Sequence, residues 1–152
     1  MTEVVIRYGR DDELQAVLDF WKLAGEGTDR RDSPQGYSAL IDRDPQALLV
    51  AEIDGRMVGT LIAGWDGWRA HLYRLAVHPD HRRQGIARKL IERAELRFRE
   101  FGAFRADAMV LDDNEQAHHA WRAAGYHRQP QWGRWVKPLT SRFHGGLIPA
   151  GR

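Results

Sequence analysis

The segment Tyr73-Arg74-Leu75-Ala76-Val77-His78-Pro79-Asp80-His81-Arg82-Arg83-Gln84-Gly85-Ile86-Ala87-Arg88 constrains the fold of this chain more than any other. Its first five residues read as the end of a strand, and His78-Pro79 breaks that strand. From Gln84 to Phe101 the residues Ile86, Leu90, Ala94, Phe98 and Phe101 recur at the spacing of one helix face, with Gly102 at the expected C-terminal stop. A strand that turns through a short loop into a helix start gathers unpaired N–H groups and the positive end of the helix dipole at one place. That is a natural seat for a pyrophosphate. Gly85 lets backbone approach such a ligand, Ala87 keeps the turn uncrowded, and Arg82, Arg83 and Arg88 offer charge-assisted hydrogen bonds. The same arginines also fit a solvated helix face, so the rest of the chain has to decide between the two readings.

The flanking pattern supplies the frame. Val4 and Ile6 predict a strand near 2–8, and Leu14, Val17, Leu18 and Trp21 predict a helix capped by Asp11 or Asp12 and ended by Gly25 and Gly27. The polar stretch 28–32 leads to Ser33-Pro34, an N-cap followed by proline at the first helical position. Strands are predicted at 47–53 and 57–65, joined at Asp54-Gly55, whose two residues tolerate the positive φ of a tight hairpin. A strand over 71–77 follows the turn at Gly64-Trp65-Asp66-Gly67. Beyond the long helix come a strand at 104–111, a helix from 114 or 115 to 124, and a pair of strands across 126–136. The order predicts a single α/β domain over 1–137: a mixed, mostly antiparallel sheet of six to seven strands with about four helices on both faces. Residues 138–152, with two prolines and three glycines, read as a weakly packed tail.

Several function classes drop out. With no cysteine among 152 residues there is no disulfide, thiolate nucleophile or Cys-ligated zinc. Seven histidines invite a metal reading, but no His-Glu-x-x-His or comparable carboxylate cluster occurs, and no metal is expected. No Gly-x-Ser-x-Gly element suggests an acyl-serine hydrolase. No apolar run approaches the ~18 residues of a membrane span, and the N-terminus does not read as a signal peptide. A cytoplasmic protein without membrane association is expected. The net charge of +2 is too small, and the arginines too concentrated at one helix, to favour a nucleic-acid partner. A homodimer is compatible with the sequence but not required by it.

Two motifs resemble the GCN5-related N-acetyltransferase family. Arg82-x-x-Gly85-x-Ala87 matches the signature (Arg/Gln)-x-x-Gly-x-(Gly/Ala), in place directly after a strand and before an amphipathic helix. Downstream, Asn114-x-x-Ala117-x-x-x-Trp121-x-x-x-Gly125-Tyr126 resembles the later Asn-x-x-Ala-x-x-x-Tyr-x-x-x-Gly-Phe element. With the Asp54-Gly55 hairpin and the element order, the resemblance covers about residues 3–137, and it is nearer to uncharacterised bacterial members than to histone-modifying ones. It implies acetyl-CoA as co-substrate. The backbone of Leu75, Ala76 and Val77 would pair with the pantetheine arm. Arg82, Arg83, Gln84, Gly85, Ile86, Ala87 and Arg88 would wrap the pyrophosphate, and Asn114 would bond the arm.

The implied reaction is attack of a neutral amine on a thioester carbonyl. An alkyl amine is mostly protonated at pH 7, so a base is needed, directly or through water. His71 is the expected base, lying where the histone-acetylating branch carries a glutamate and, by strict alternation, sharing a face with Tyr73, Leu75 and Val77. An exposed strand histidine without a role is the alternative. Another branch carries a glutamate five residues before the Asn114 position, where this chain has Met109. Trp121 stands where many relatives carry a tyrosine that protonates the departing thiolate. Indole cannot do that, which leaves Tyr73 or water as substitute and Trp121 as either a wall for the thiol or a core aromatic. For the acceptor, the resemblance points to the loop 28–37 and the turn 64–69. There Asp32 and Asp66 would attract a cationic amine and Tyr37, Trp65 and Trp68 would hold it, each being equally readable as a loop cap or a surface aromatic. A primary amine of a small molecule or peptide is the expected acceptor. A catalytically weak acyl-CoA-binding sensor is the alternative function.

Overall fold

The computed structural model describes residues 3–25, 32–140, 142–143 and 146–147. Strand β1 (Val4–Tyr8) leads through a 3-10 turn at Asp11–Glu13 into helix α1 (Leu14–Ala24). The turn is fixed by Glu13, whose carboxylate takes the Arg10 amide at 2.8 Å and both terminal nitrogens of Arg7 at 2.8 Å. Gly25 ends α1; Gly27 and residues 28–31 of the expected acceptor loop lie outside the described residues. Helix α2 (Pro34–Arg43) opens as expected, with the Ser33 hydroxyl accepting from the Gly36 amide at 3.0 Å and proline in the first turn.

Strands β2 (Leu48–Ile53), β3 (Arg56–Trp65) and β4 (Ala70–Val77) form an antiparallel meander, and β1 pairs antiparallel on the outer side of β2. The β2–β3 hairpin turns on Asp54 (φ 52°) and Gly55 (φ 77°), the positive pair that a two-residue turn requires. Helix α3 (Ile86–Glu100) then carries the chain to β5 (Ala106–Ala108), which lies parallel to β4. The sheet order is β1-β2-β3-β4-β5. Helix α4 (Glu115–Ala123) follows, capped by Asn114, whose side-chain oxygen takes the Ala117 amide at 3.1 Å.

Helices cover both faces, which is why Leu48, Leu49, Val50 and Ala51 form an unbroken apolar run in a central strand instead of alternating. On one face Leu49, Leu61 and Leu72 pack under Ile86, Leu90, Ile91, Ala94 and Phe98 of α3 and Trp121 of α4. On the other, Leu48, Val50, Ile62 and Ala76 meet Val17, Phe20 and Trp21 of α1 and Tyr37 and Ile41 of α2.

The expected sheet is too large. It has five strands, and the predicted strand at 104–111 shrinks to three residues that pair only with β4. The predicted strand pair across 126–136 does not form; residues 127–139 are exposed and carry no strand. Pro130 and Gly133 interrupt the segment, and the apolar side chains Trp132, Trp135 and Val136 find no covered face. Beyond it, Arg142–Phe143 and Gly146–Leu147 pair as two short strands outside the main sheet.

Candidate active site

The site grows from a fault in β4. Between Thr60 and Ile62 the β3–β4 register slips: Ile62 faces Tyr73, but Thr60 faces Ala76, leaving an extra residue in β4. Arg74 absorbs it with φ at 59°, a left-handed conformation costly for a residue with a long side chain. Three contacts hold it there. The buried Thr60 hydroxyl donates to the Arg74 carbonyl at 3.0 Å while accepting from the Trp21 indole N–H at 2.9 Å. The Arg74 guanidinium pairs with Asp32 and lies over the Trp21 ring, 5.3 Å from its centroid. The sequence marks Trp21 only as part of the α1 stripe and does not mark Thr60 at all. The available signal was a lone hydroxyl in the apolar run Val58–Ala63.

The bulge overturns the expected alternation. His71 and Tyr73 lie on the α1/α2 face with Arg74 and Ala76, whereas Leu75 and Val77 pack into the core under α3. The extra residue turns every later side chain of β4 over. Leu75, Ala76 and Val77 nonetheless lie along an open edge. β5 pairs only with Ala70, His71 and Leu72, so among the described residues the main chain of Tyr73–Val77 has no strand beside it on that side. This is where an extended ligand can add as a strand.

The edge runs straight into the start of α3. Arg83 and Gly85 have positive φ (63° and 79°) and turn the loop sharply into the helix. A Cβ at Gly85 would meet nothing within 4 Å, so glycine is demanded by the backbone conformation and not by crowding. α2 and α4 are capped by Ser33 and Asn114, but no side chain caps α3. The first-turn amides of Ile86, Ala87 and Arg88 are therefore left for an outside acceptor. Gln84 is exposed beside them, Arg83 and Arg88 are exposed, and Arg82 reaches back to the Val77 carbonyl at 3.4 Å. At the start of α4, Asn114 spends its oxygen on the cap, which leaves its amide nitrogen to donate.

Where β4 and β5 are still paired, His71 stands opposite Asp107, and its Nδ1 lies 2.9 Å from the Asp107 carboxylate. Asp107 was not anticipated, because the register of a three-residue parallel ladder has no short-range sequence signal. Tyr73 lies two residues on; its ring lies 3.3 Å from where a Cβ on Gly64 would be, so glycine at 64 leaves room for the phenol. Burial pushes the Tyr73 hydroxyl above its ordinary value, which keeps it protonated at neutral pH.

The expected acceptor residues fare unevenly. Asp32 is brought to the bulge, but its charge is matched by Arg74. Tyr37 is buried and donates to the Arg10 carbonyl at 2.7 Å, within the core on the α1/α2 face. Trp65 stacks on Phe101 at 5.3 Å and packs with the core under α3, on the face away from His71. Asp66 caps its own turn, accepting from the Trp68 and Arg69 amides at 2.8 and 2.7 Å. Those bonds hold its carboxyl below the usual range. Trp68 alone of the three aromatics stands free, 81% exposed. Trp121 belongs to the core, edge-on to Tyr126 at 5.0 Å, and Met109 is exposed on the strand's end. Among the described residues no group of three histidines or carboxylates gathers as for a metal ion. None of the described helices is long and apolar enough to cross a membrane.

Residues 14–126 match the family model described as acetyltransferase (GNAT) family. An acetyltransferase of Pectobacterium atrosepticum is 36% identical over 110 residues, covering 72% of this chain and 78% of that protein. One from Sodalis glossinidius is 33% identical over 124 residues, covering 82% and 87%. Among solved structures, an aminoglycoside antibiotic 6'-N-acetyltransferase from Acinetobacter baumannii superposes with a TM-score of 0.72 at 22% identity, covering 91% of this chain and all of that one. A putative acetyltransferase from Salmonella typhimurium, solved with acetyl-CoA, gives 0.66 at 21% identity, covering 81% and 79%.

Proposed function

The chain belongs to the acetyltransferase (GNAT) family, and from that premise we propose that it transfers the acetyl group of acetyl-CoA to a primary amine of a small molecule or peptide by direct attack in a ternary complex. One observation carries the reading. The open edge of β4 beyond Leu72 leads, without a break in the chain, to the start of α3, which has no side-chain cap, unlike the starts of α2 and α4.

In this reading the pyrophosphate takes the amides of Ile86, Ala87 and Arg88, with Arg82, Arg83 and Arg88 around it and Gln84 and Gly85 shaping the turn. The pantetheine arm adds to the edge of Leu75, Ala76 and Val77, and the Asn114 amide donates to it. The acetyl carbonyl then lies near the bulge, where a main-chain N–H of β4 can hold the developing oxyanion. The amine nitrogen attacks the carbonyl carbon, and His71 Nε2 takes its proton. As the tetrahedral intermediate collapses the C–S bond breaks, and the thiolate takes a proton from His71 or solvent. The products are the N-acetyl amine and free CoA. A tyrosine hydroxyl is a weaker acid than a thiol, so Tyr73 serves as a hydrogen-bond donor to the leaving sulfur, not as its acid. Trp121, buried against Tyr126, shapes the core beneath. Trp68 and the Asp66 turn stand at the acceptor side.

The test is release of CoA from acetyl-CoA with a panel of amines: spermidine, tyramine, kanamycin and an alanine-initiated peptide. His71→Gln is expected to lower kcat about a hundredfold with acetyl-CoA affinity unchanged. Turnover at the wild-type rate in that variant removes His71 from the role. Tight acetyl-CoA binding with no turnover of any amine would leave the sensor reading in its place.

A further inference from the structure

The pairing of His71 with Asp107 reaches past this reading, and it rests on it. We infer that Asp107 is the positioning residue of the site, holding the His71 ring in the tautomer and orientation that leave Nε2 free to accept the amine's proton. Asp107 lies opposite His71 in the parallel β4–β5 ladder, with its Oδ1 2.9 Å from Nδ1. A carboxylate only accepts hydrogen bonds, so the Nδ1 that meets it carries the hydrogen and Nε2 keeps its lone pair. Nε2 has no partner among the described residues.

The placement is specific. Ala106 and Ala108 turn into the core under α3, so Asp107 projects on the same face as His71 and Tyr73. The pair forms in the middle of the three-residue ladder, one residue before β4 and β5 part. It therefore stands at the closed end of the opening, next to where the acetyl group would lie. Both side chains are open to solvent, 41% and 53% exposed, so the pair contributes little to stability. The other charges on this face are engaged: Asp66 by its turn amides, and Asp32 and Arg74 by each other. Asp107 alone among them faces the imidazole directly.

The test uses 15N-labelled histidine spectra together with kinetics on Asp107→Asn, Asp107→Glu and His71→Gln. In the wild type, neutral His71 is expected as the Nδ1–H tautomer. In Asp107→Asn the signal should move toward the Nε2–H tautomer, and kcat should fall at least about tenfold with the KM for acetyl-CoA within about twofold. Asp107→Glu should recover part of kcat. The melting temperature should not move in either variant, since the pair is exposed. An unchanged tautomer in Asp107→Asn overturns the inference, as does a wild-type kcat in that variant while His71→Gln is inactive. Wild-type turnover in His71→Gln is a different failure, since it strikes the assignment of the base itself.

Discussion

Tyr37 lies on α2, only 3% exposed where α2 packs with α1, and its hydroxyl is bonded to the Arg10 carbonyl. Burial, reinforced by the charges of Glu13 and Asp11, pushes that hydroxyl up to about 12 from an ordinary value of 10.0. The sign follows. Unfolded chain ionises Tyr37 near pH 10, while the folded chain keeps the proton, so its contribution is full below pH 10 and is lost as the pH rises through about 12. Denaturant titrations should show stability falling over that window. Tyr37→Phe should fall less steeply there, starting about 1 kcal/mol lower at pH 7 because the Arg10 carbonyl loses its donor. Equal alkaline slopes in the two proteins would show that Tyr37 does not carry the effect. At the acid end Glu13 works in the opposite sense. Burial opposes its charge, but the bonds from Arg7 and the Arg10 amide outweigh that and hold its carboxyl below the usual range. Its contribution is therefore present above the ordinary carboxylate range and is lost as the pH falls through its lowered value.

At the scale of elements, β4 decides what the site can do. Its bulge depends on Thr60, which satisfies the carbonyl that Arg74 withdraws from the ladder, and on Trp21, which fixes the hydroxyl's direction. Thr60→Val keeps the shape and removes the donor, so it should cost about 1–3 kcal/mol of stability and weaken acetyl-CoA binding by distorting the open edge; Thr60→Ser should restore most of both. Unchanged chevron and binding data for the valine variant would show that the bulge stands without this bond. The elements themselves were largely legible. The stripe from Ile86 to Phe98, the Ser33-Pro34 start and the Asp54-Gly55 turn are local signals, and each corresponds to an observed element. What the sequence hid was non-local. Alternation cannot reveal a bulge inside a strand, so His71 was grouped with Leu75 and Val77 when it faces the other way. A three-residue ladder cannot announce its register, so Asp107 went unseen. Turn residues cannot say which face a neighbouring aromatic chooses, so Trp65 was expected at the acceptor when it stacks on Phe101.

For the whole molecule, the five-stranded sheet divides the labour between its faces. Under α3 and α4 lies a continuous core that includes Trp121, buried edge-on to Tyr126. On the α1/α2 face the core stops short of the β4–β5 opening, and there His71, Tyr73, Asp107 and the Arg74–Asp32 pair gather. The expected six or seven strands would have extended the sheet beyond β5; its five leave the segment 127–139 uncovered instead. A ligand that adds to β4 and caps α3 would tie the sheet to the helix, and saturating it at about 100 times its dissociation constant should raise stability by about 2.7 kcal/mol. Acetyl-CoA binding across that junction is the central requirement of the proposed reaction. Its most direct measurement is calorimetric titration of acetyl-CoA into the wild type and into Gly85→Val, whose positive φ a branched residue cannot hold without strain. One site per chain is expected in the wild type, with at least about a tenfold loss of affinity in the variant. Absence of binding in the wild type, or equal affinity in a folded variant, would contradict it.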